Sequence, residues 1–400
     1  MASSAEGAGG VPQQGGAALG GTGGEVAGTA VPAAGGTGPV MGANGPTVAI
    51  NGRGAEQDAA PPSPADLVMA PGVLGSATAT PGADLRVRMA RKFDEVVANV
   101  RSVYIGKDRT VRLALCCLMA EGHLLVEDHP GVGKTTLAKA LARSLGLGFG
   151  RVQFTADLLP SDVTGAMVFD RDSGRVSFRP GPVFTNVLLA DELNRASPKA
   201  QSALLEAMEE RQVSADGVTH PLPAPFMVLA TQNPFDAAGT FPLPHSQRDR
   251  FLLRLSLGYP DRAEEDLLLS STLVRPTPES LPSVAGPRFL AAFADVARRI
   301  HTAPEVRGYV LDLIGETRTH PDLTVGASPR ATLAVLRAAA AVAVSEGRGF
   351  VTPDDVKLVA EPALGHRVMV HPAAELAGVT PSATIAEIMS RLVVPVGPGR

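Results

Sequence analysis

Two glycines followed by a lysine and a threonine form the segment of this sequence best suited to chemistry. Gly131, Gly133, Lys134 and Thr135 lie between a short apolar run and a run with helical periodicity. Glycine lets backbone N–H groups turn inward around phosphate oxygens, and a helix N-terminus adds partial positive charge. The lysine can reach the β- and γ-phosphates of a nucleotide, and the threonine hydroxyl can ligate Mg²⁺. The pattern predicts a phosphate-binding loop.

One position departs from the usual phosphate-loop pattern, because Asp128 stands where the first glycine is expected. Aspartate tolerates unusual turn geometry better than most residues, which predicts that the loop still forms. A dinucleotide-binding loop is excluded, because no glycine lies three residues after Gly133. The candidate nucleotide-binding residues of the loop are Asp128, Pro130, Gly131, Val132, Gly133, Lys134, Thr135 and Thr136.

Two adjacent carboxylates, Asp191 and Glu192, follow the apolar run at residues 187–190. Side chains at the carboxyl end of a parallel strand face the ligand crevice of an open α/β sheet. One carboxylate can hold a metal ion while the other orients and deprotonates a water molecule. We therefore expect Asp191 and Thr135 to be Mg²⁺ ligands and Glu192 to be the base. Asn233 ends a third apolar run and is a candidate for contacting the γ-phosphate or the water; an ordinary Asn-Pro turn is the alternative.

The elements that must position these side chains are visible from Leu85 onward. Short apolar runs alternate there with helical patterns, which is typical of an α/β domain with a mainly parallel sheet. After residue 260 apolar residues recur at helical spacing, and Ser-Pro and Thr-Pro pairs indicate helix starts. We predict an α/β core over 84–260 and a helical domain of four or five helices over 261–400. The candidate strands are 123–127, 152–155, 187–190, 226–231 and 251–257.

The first 83 residues differ in composition from the remainder. They hold almost half of the 43 glycines and no aromatic residue. Such a segment buries too little apolar surface to offset the entropy of ordering, so we predict a disordered tail over 1–83. Its charges sum to the net charge of the whole chain, −4, so the remainder is balanced. That balance argues against a general nucleic-acid or anionic-membrane binder.

The cysteines and the absence of apolar spans indicate the compartment. Cys116 and Cys117 are adjacent in an apolar run, which excludes a disulfide scaffold and predicts two buried small side chains. The first residues lack the basic and apolar regions of a signal peptide, and no uncharged apolar run reaches the ~18 residues of a membrane span. We therefore expect a cytoplasmic protein without a membrane partner.

These motifs together resemble the AAA+ ATPases of the MoxR family, over about residues 85–395. The resemblance implies a P-loop AAA+ domain followed by an all-α lid, a hexameric ring, and ATP with Mg²⁺ bound between subunits. It also implies that Asp191 and Glu192 are the Walker B pair. The stretches that carry the resemblance are 127–135, 179–184, 189–196, 204–210, 230–234, 249–251, 326–331 and 351–356.

The resemblance assigns further roles to single residues. Asn233 corresponds to sensor 1, Arg330 to sensor 2, and Arg250 to the arginine finger that completes the neighbouring subunit's site. Arg195 and Arg248 are rival fingers. Arg330 also falls in the first turn of the helix that the Ser-Pro pair predicts, where an arginine is unfavourable unless an anion is near.

The resemblance further suggests where the base and the partners bind. Val103, Ile105 and Gly106 are expected near the adenine. The chain between residues 162 and 178 reads as a hairpin, which in this family and its relatives projects from the ring and contacts clients. Proteins resembling the family often act as chaperones with a partner that carries a von Willebrand factor A domain.

Three functions are compatible with these residues. The first is Mg²⁺-dependent ATP hydrolysis coupled to the remodelling or maturation of protein complexes. The second is a motor on DNA, against which the balanced charge and the lack of a recognisable DNA-binding domain argue. The third is a scaffold that binds ATP, scarcely hydrolyses it and switches assembly state. The presence of Glu192, Asn233 and Arg250 argues against the scaffold.

Overall fold

The computed structural model describes residues 82–172, 174–233, 239–270 and 276–395. Except for its last two residues, the predicted disordered tail over 1–83 lies outside the described residues. The strands are β1 (Leu124–Glu127), β2 (Phe149–Gln153), β3 (Gly165–Asp170), β4 (Arg175–Pro180), β5 (Val187–Asp191), β6 (Gln212–Ala215), β7 (Val218–Pro221), β8 (Met227–Gln232), β9 (Leu253–Leu255), β10 (Leu323–Val325) and β11 (Met369–Val370).

The helices divide between the two predicted regions. Those of the first region are α1 (Ala83–Arg101), α2 (Asp108–Met119), α3 (Lys134–Ser144), α4 (Pro160–Thr164), α5 (Pro198–Glu210) and α6 (His245–Arg248). Those that follow are α7 (Arg262–Ser270), α8 (Pro287–Arg298), α9 (Pro304–Thr319), α10 (Pro329–Ser345), α11 (Pro353–Leu364), α12 (Pro372–Leu376) and α13 (Pro381–Arg391).

A parallel sheet of five strands forms the centre of the first region, in the order β2-β5-β8-β1-β9. All five predicted strands are present, so the predicted α/β fold is confirmed. The inner strands match the predicted bounds closely, because β5 and β8 are almost entirely buried and read as continuous apolar runs. The edge strand β2 begins three residues earlier than predicted. Its first three residues, Phe149, Gly150 and Arg151, are half-buried or exposed and do not form a continuous apolar run.

The sheet separates two apolar layers. Leu188 and Ala190 of β5 pack with Leu204 and Leu205 of α5 on one face. The alternate residues of the strand, such as Leu189, face the other side and join α1, α2, α3 and the later helices. Because α10 packs on α1 and α2, the helical region shares this second layer with the sheet.

The region after residue 260 is helical, as predicted. Its described residues form seven helices rather than the predicted four or five, and five of these have at least 11 residues. The ribbon of β10 and β11 was not foreseen. Ser328 and Thr352 cap α10 and α11 by accepting hydrogen bonds from Ala331 N and Asp355 N. Within the described residues, no helix combines the length and apolar character needed to cross a membrane.

Two hairpins lie outside the parallel sheet. β3 and β4 pair from Gly165 to Pro180, which confirms the hairpin predicted between residues 162 and 178. Phe169 and Val176, at its tip, are each 59% exposed. The second hairpin, β6 and β7, was not predicted, because its short strands mix polar and apolar residues and are mostly exposed or half-buried.

The two cysteines are buried in α2, as predicted. Burial raises the pKa of both the Cys116 and the Cys117 thiol to about 12. Both therefore remain protonated at neutral pH and behave as small apolar side chains.

One buried guanidinium joins the helical region to the core. Arg367, which follows α11, has a side chain only 2% exposed and forms an ion pair with Asp249 at 2.7 Å. It also donates to the carbonyl oxygens of Asp249 at 3.0 Å, Phe251 at 2.6 Å, Leu252 at 3.1 Å and Ala363 at 2.5 Å. The buried charge is thereby fully paired, which is the condition under which such burial is tolerated.

Replacing Arg367 by methionine is expected to lower the free energy of unfolding by about 3–5 kcal/mol, because the partly buried Asp249 and four backbone carbonyl oxygens would lose their cationic donor. The measurement is urea unfolding, followed by circular dichroism. Arg391→Met removes an arginine that is 68% exposed and serves as the matched control. Equal stability losses in the two variants would contradict the role of Arg367 in joining the helical region to the core.

Candidate functional site

The predicted phosphate loop links β1 to α3. Gly131 has φ +87° and Gly133 has φ +89°, a region that side-chain-bearing residues rarely adopt. No side chain caps the first turn of α3. Its leading N–H groups are therefore available to an anion, as in other phosphate-binding helix N-termini.

Lys134 points back across this loop. Its Nζ donates to the backbone oxygen of Asp128 at 2.6 Å. Burial lowers the pKa of Lys134, and the negative charges of Asp128, Asp191 and Glu192 oppose that shift. The ammonium group therefore lies in the field of three carboxylates, where a phosphate-bound metal ion would offset their charge.

The loop forms with Asp128 at its start, as predicted, but the structure differs from the sequence interpretation of this residue in two respects. Among the described non-glycine residues, positive φ occurs at Glu121, Glu192, Arg211 and Asp216, so Asp128 needs no unusual turn geometry. Nor does it line the phosphate cavity.

The Asp128 carboxylate instead binds the chain that leads out of β9. Its Oδ2 accepts hydrogen bonds from Leu257 N, from Gly258 N at 3.0 Å and from Ser256 Oγ at 3.1 Å. A glycine here could not make these bonds. Aspartate at this position therefore fastens the start of the phosphate loop to the segment leading into the helical region.

The two predicted carboxylates lie at the carboxyl end of β5. Asp191 accepts hydrogen bonds from Thr231 Oγ1 at 2.6 Å and from Arg151 Nη2 at 2.7 Å. Glu192 Oε2 accepts from Gln153 Nε2 at 2.8 Å and forms an ion pair with Arg195 at 3.1 Å. Each carboxylate is thus held by one neutral and one cationic partner.

The backbone at Glu192 is strained. It has φ +56° and ψ +46°, the left-handed conformation, which a non-glycine residue adopts at an energetic cost. Its N–H donates to Thr231 Oγ1 at 2.9 Å. Strain retained at a carboxylate that faces a cavity is a feature of functional sites.

The phosphate loop, both carboxylates and Asn233 surround one cavity of about 400 Å³. Ligand pockets commonly have volumes of this order. The predicted residues that line it are Pro130, Gly131, Gly133, Lys134, Thr135, Thr136, Asp191, Glu192 and Asn233. The structure thus brings together the predicted phosphate, metal and base residues, which come from separate parts of the sequence.

A second cavity, of about 210 Å³, adjoins the first and shares Gly131, Gly133 and Thr136 with it. It contains Ile105, Gly106 and Val132, the remaining nucleotide-binding candidates, together with Val103. Tyr104 lies beneath the loop, and a Cβ on Gly133 would come within 3.1 Å of its ring. Burial raises the Tyr104 pKa to about 12, with Asp128 and Glu264 adding to the shift, so the hydroxyl stays neutral. An apolar niche beside a phosphate loop suits a nucleotide base.

Arg250 and Arg330 are not brought to this site. They line a separate cavity of about 300 Å³, together with Gly122 and His123, which precede β1. The phosphate loop follows β1, so the two cavities lie at opposite ends of that strand, roughly 13 Å apart for four residues. Within one chain, neither arginine lies in the phosphate cavity.

The two rival arginines differ from each other. Arg195 contacts Glu192 and so lies at the site of its own chain. Arg248 is partly buried, and its Nε has no hydrogen-bond partner among the described residues. Burial lowers the Arg248 pKa, and Glu127 opposes the shift.

Several residues of the site were missed from the sequence. Arg151 and Gln153 both point from β2 toward the carboxylates, and Thr231 of β8 bridges Asp191 to the Glu192 backbone. The sequence spacing could have indicated these residues, since Arg151 and Gln153 are two residues apart near the carboxyl end of a strand. Such residues share one face of the strand.

Comparisons with known proteins match both regions. The ATPase family associated with various cellular activities (AAA) matches residues 123–253, and the AAA lid domain matches 315–388. The chain is 44% identical to the uncharacterized protein YeaC of Bacillus subtilis, over 76% of this chain and 94% of that protein. It is 36% identical to the chaperone MoxR1 of Mycobacterium tuberculosis, over 78% of this chain and 85% of that protein.

A solved structure agrees with these matches. The crystal structure of a putative ATPase from Cytophaga hutchinsonii is 33% identical in sequence and superposes with a TM-score of 0.73. The likeness covers 79% of this chain and 100% of that one.

Replacing Asp128 by alanine is expected to lower the free energy of unfolding by about 2–4 kcal/mol, because two backbone N–H groups would lose a charged acceptor. Thermal unfolding monitored by circular dichroism measures the change. Asp312→Ala, at an exposed position of α9, is the control. If Asp128→Ala were as stable as the control, the carboxylate would not fasten the loop.

Proposed function

Because this chain belongs to the MoxR family of AAA+ ATPases, we propose that it hydrolyses ATP with Mg²⁺ and uses the free energy to remodel or mature protein complexes. One observation carries the proposal. Lys134, Thr135, Asp191, Glu192 and Asn233 surround a single cavity of about 400 Å³ that adjoins an apolar niche. Family membership supports nucleotide binding, and the side chains support hydrolysis.

The residues present fit a triphosphate and a hard cation. Gly131 and Gly133 open the loop, and Lys134 is placed to exchange the Asp128 carbonyl oxygen for phosphate oxygens. Thr135 and Asp191 offer oxygen ligands from two sides of the cavity, the donor type that Mg²⁺ prefers. Bound Mg²⁺ would neutralise phosphate charge during hydrolysis.

Glu192 is the proposed base. Within the described residues its contacts with Gln153 and Arg195 are both made by Oε2, which leaves Oε1 to accept a proton from the attacking water. Thr231 holds the Glu192 backbone and the Asp191 carboxylate together. Asn233, at the end of β8, would orient the water or the γ-phosphate as sensor 1.

We propose that Arg250 and Arg330 act on the site of a neighbouring subunit, as arginine finger and sensor 2. Their distance from the phosphate cavity of their own chain supports this assignment. Their side chains are 29% and 46% exposed, so another chain can reach them. A hexameric ring, as in the family the chain resembles, would place one such pair at every site.

Protein partners are also part of the proposal. The β3–β4 hairpin exposes Phe169 and Val176, which suits contact with client proteins. The name of the similar M. tuberculosis protein, chaperone MoxR1, agrees with a chaperone role. A partner with a von Willebrand factor A domain rests on the family resemblance alone.

Glu192→Gln is expected to keep ATP binding and to lower turnover by about 10²- to 10⁴-fold, because only the proton acceptor is lost. Steady-state phosphate release measures turnover, and equilibrium binding of a fluorescent ATP analogue measures affinity. Glu206→Gln, an exposed position on α5, is the control. Normal turnover in Glu192→Gln would falsify the assignment. ATP binding without hydrolysis in the unchanged chain would favour the scaffold function.

Mixing two inactive variants tests whether Arg250 acts between subunits. Arg250→Ala keeps its own Glu192, and Glu192→Gln keeps its own Arg250. If the finger acts on a neighbour, mixed assemblies contain sites with both groups, and ATPase activity returns. Phosphate release is measured for each variant alone and for mixtures at several ratios. Activity equal to the sum of the separate variants would exclude an intersubunit finger.

A further inference from the structure

Glu209, near the C-terminal end of α5, forms ion pairs with both Arg250 and Arg330, and none of the assignments above gives it a role. Its Oε2 pairs with Arg250 Nε at 2.9 Å, and its Oε1 pairs with Arg330 Nη2 at 2.5 Å. One carboxylate therefore holds an arginine of the core and an arginine of the lid, one on each oxygen.

The pairing with Glu209 leaves the two terminal nitrogens of the Arg250 guanidinium available for an anion. A guanidinium has five N–H donors, and the shortest contact between Glu209 and Arg250 is made by Nε. The two terminal nitrogens remain for a bidentate contact with an anion such as phosphate. The contact thus restricts the side chain without blocking the donors that a finger needs.

The other carboxylates that line this cavity pair with arginines other than Arg250 and Arg330. Two other carboxylates line the cavity, and each has an arginine of its own. Asp249 pairs with Arg367, and Glu121 pairs with Arg298. Within the described residues, Glu209 is thus the carboxylate that separates the like charges of Arg250 and Arg330.

The position of Glu209 is itself well fixed. α5 is capped by Ser197, and the adjacent Met208 is 2% exposed. A side chain on a packed helix holds its partners more tightly than one on a loop.

We propose that Glu209 is a positioning residue that holds Arg250 and Arg330 as one unit, ready for the phosphates of a neighbouring subunit. This inference rests on the proposed function, because it requires Arg250 to act in hydrolysis. It adds that the geometry of the finger is set by a carboxylate of the same chain, before any neighbour is present. It also explains how an arginine in the first turn of α10 is tolerated, since Glu209 supplies the anion.

Glu209→Gln tests the proposal in the full chain. The amide keeps the shape of the side chain but loses its charge. Its single oxygen can replace only one of the two carboxylate oxygens that contact the arginines. We expect kcat to fall about 10- to 100-fold, as for other misplaced catalytic groups, with the affinity for ATP and the assembly state unchanged. Phosphate release, binding of a fluorescent ATP analogue and sedimentation velocity measure the three quantities. Glu210→Gln, the adjacent exposed residue, is the matched control.

A second background separates positioning from general structural damage. Because Glu209 would act through Arg250 and Arg330, Glu209→Gln should add little further loss of kcat in a chain that already carries both Arg250→Ala and Arg330→Ala. A full additional loss in that background would assign Glu209 a structural role and overturn the proposal.

The remaining outcomes distinguish the two proposals. If the unchanged chain hydrolyses ATP and Arg250→Ala lowers kcat, but Glu209→Gln equals Glu210→Gln, only the Glu209 proposal fails. If Arg250→Ala has normal kcat, the finger assignment fails and the positioning role with it.

Discussion

The buried Arg367 guanidinium is the interaction on which the joining of core and lid depends. A charge this deeply buried must keep its hydrogen bonds, and its acceptors come from Ala363 and from the segment Asp249–Leu252. His366 adds a contact from Nε2 to Phe251 O at 2.9 Å. The lid therefore cannot move off this segment without leaving donors unpaired. Because Arg250 lies within the segment, lid docking also sets where the proposed finger begins.

The two ends of the parallel sheet hold different groups of functional side chains. The carboxyl ends of the parallel strands collect the loop, the carboxylates and Asn233, as expected for an open α/β sheet. The opposite end collects arginines from core and lid around Glu209. Hydrolysis as we propose it needs both sets, so a single chain carries two halves that belong to two different sites.

The sequence predicted most of the fold and the residues of the phosphate cavity, and the reasons are physical. Strands such as β5 and β8 are buried on both faces and leave continuous apolar runs, and glycines at positive φ mark the loop. Arg151 and Gln153 were missed because they lie on the half-exposed edge strand β2. The sequence there has no continuous apolar run from which the full extent of the strand could be predicted.

Contacts between distant parts of the chain escaped sequence reasoning for a different reason. The clamp of Asp128 on Leu257 and the pairing of Glu209 with Arg330 each join residues more than a hundred positions apart. Neither follows from local spacing. The departure at Asp128 was therefore interpreted as a variation in turn geometry, whereas it is a tertiary contact.

The burial of Cys116 and Cys117 has a practical consequence for watching this protein at work. The chain contains no other cysteine, and both thiols stay protonated at neutral pH because their pKa values are about 12. A cysteine introduced on the surface would then be the one thiol that a maleimide dye reaches. Single-dye labelling of lid or hairpin, and energy transfer between subunits, can thus be done without first removing the native cysteines.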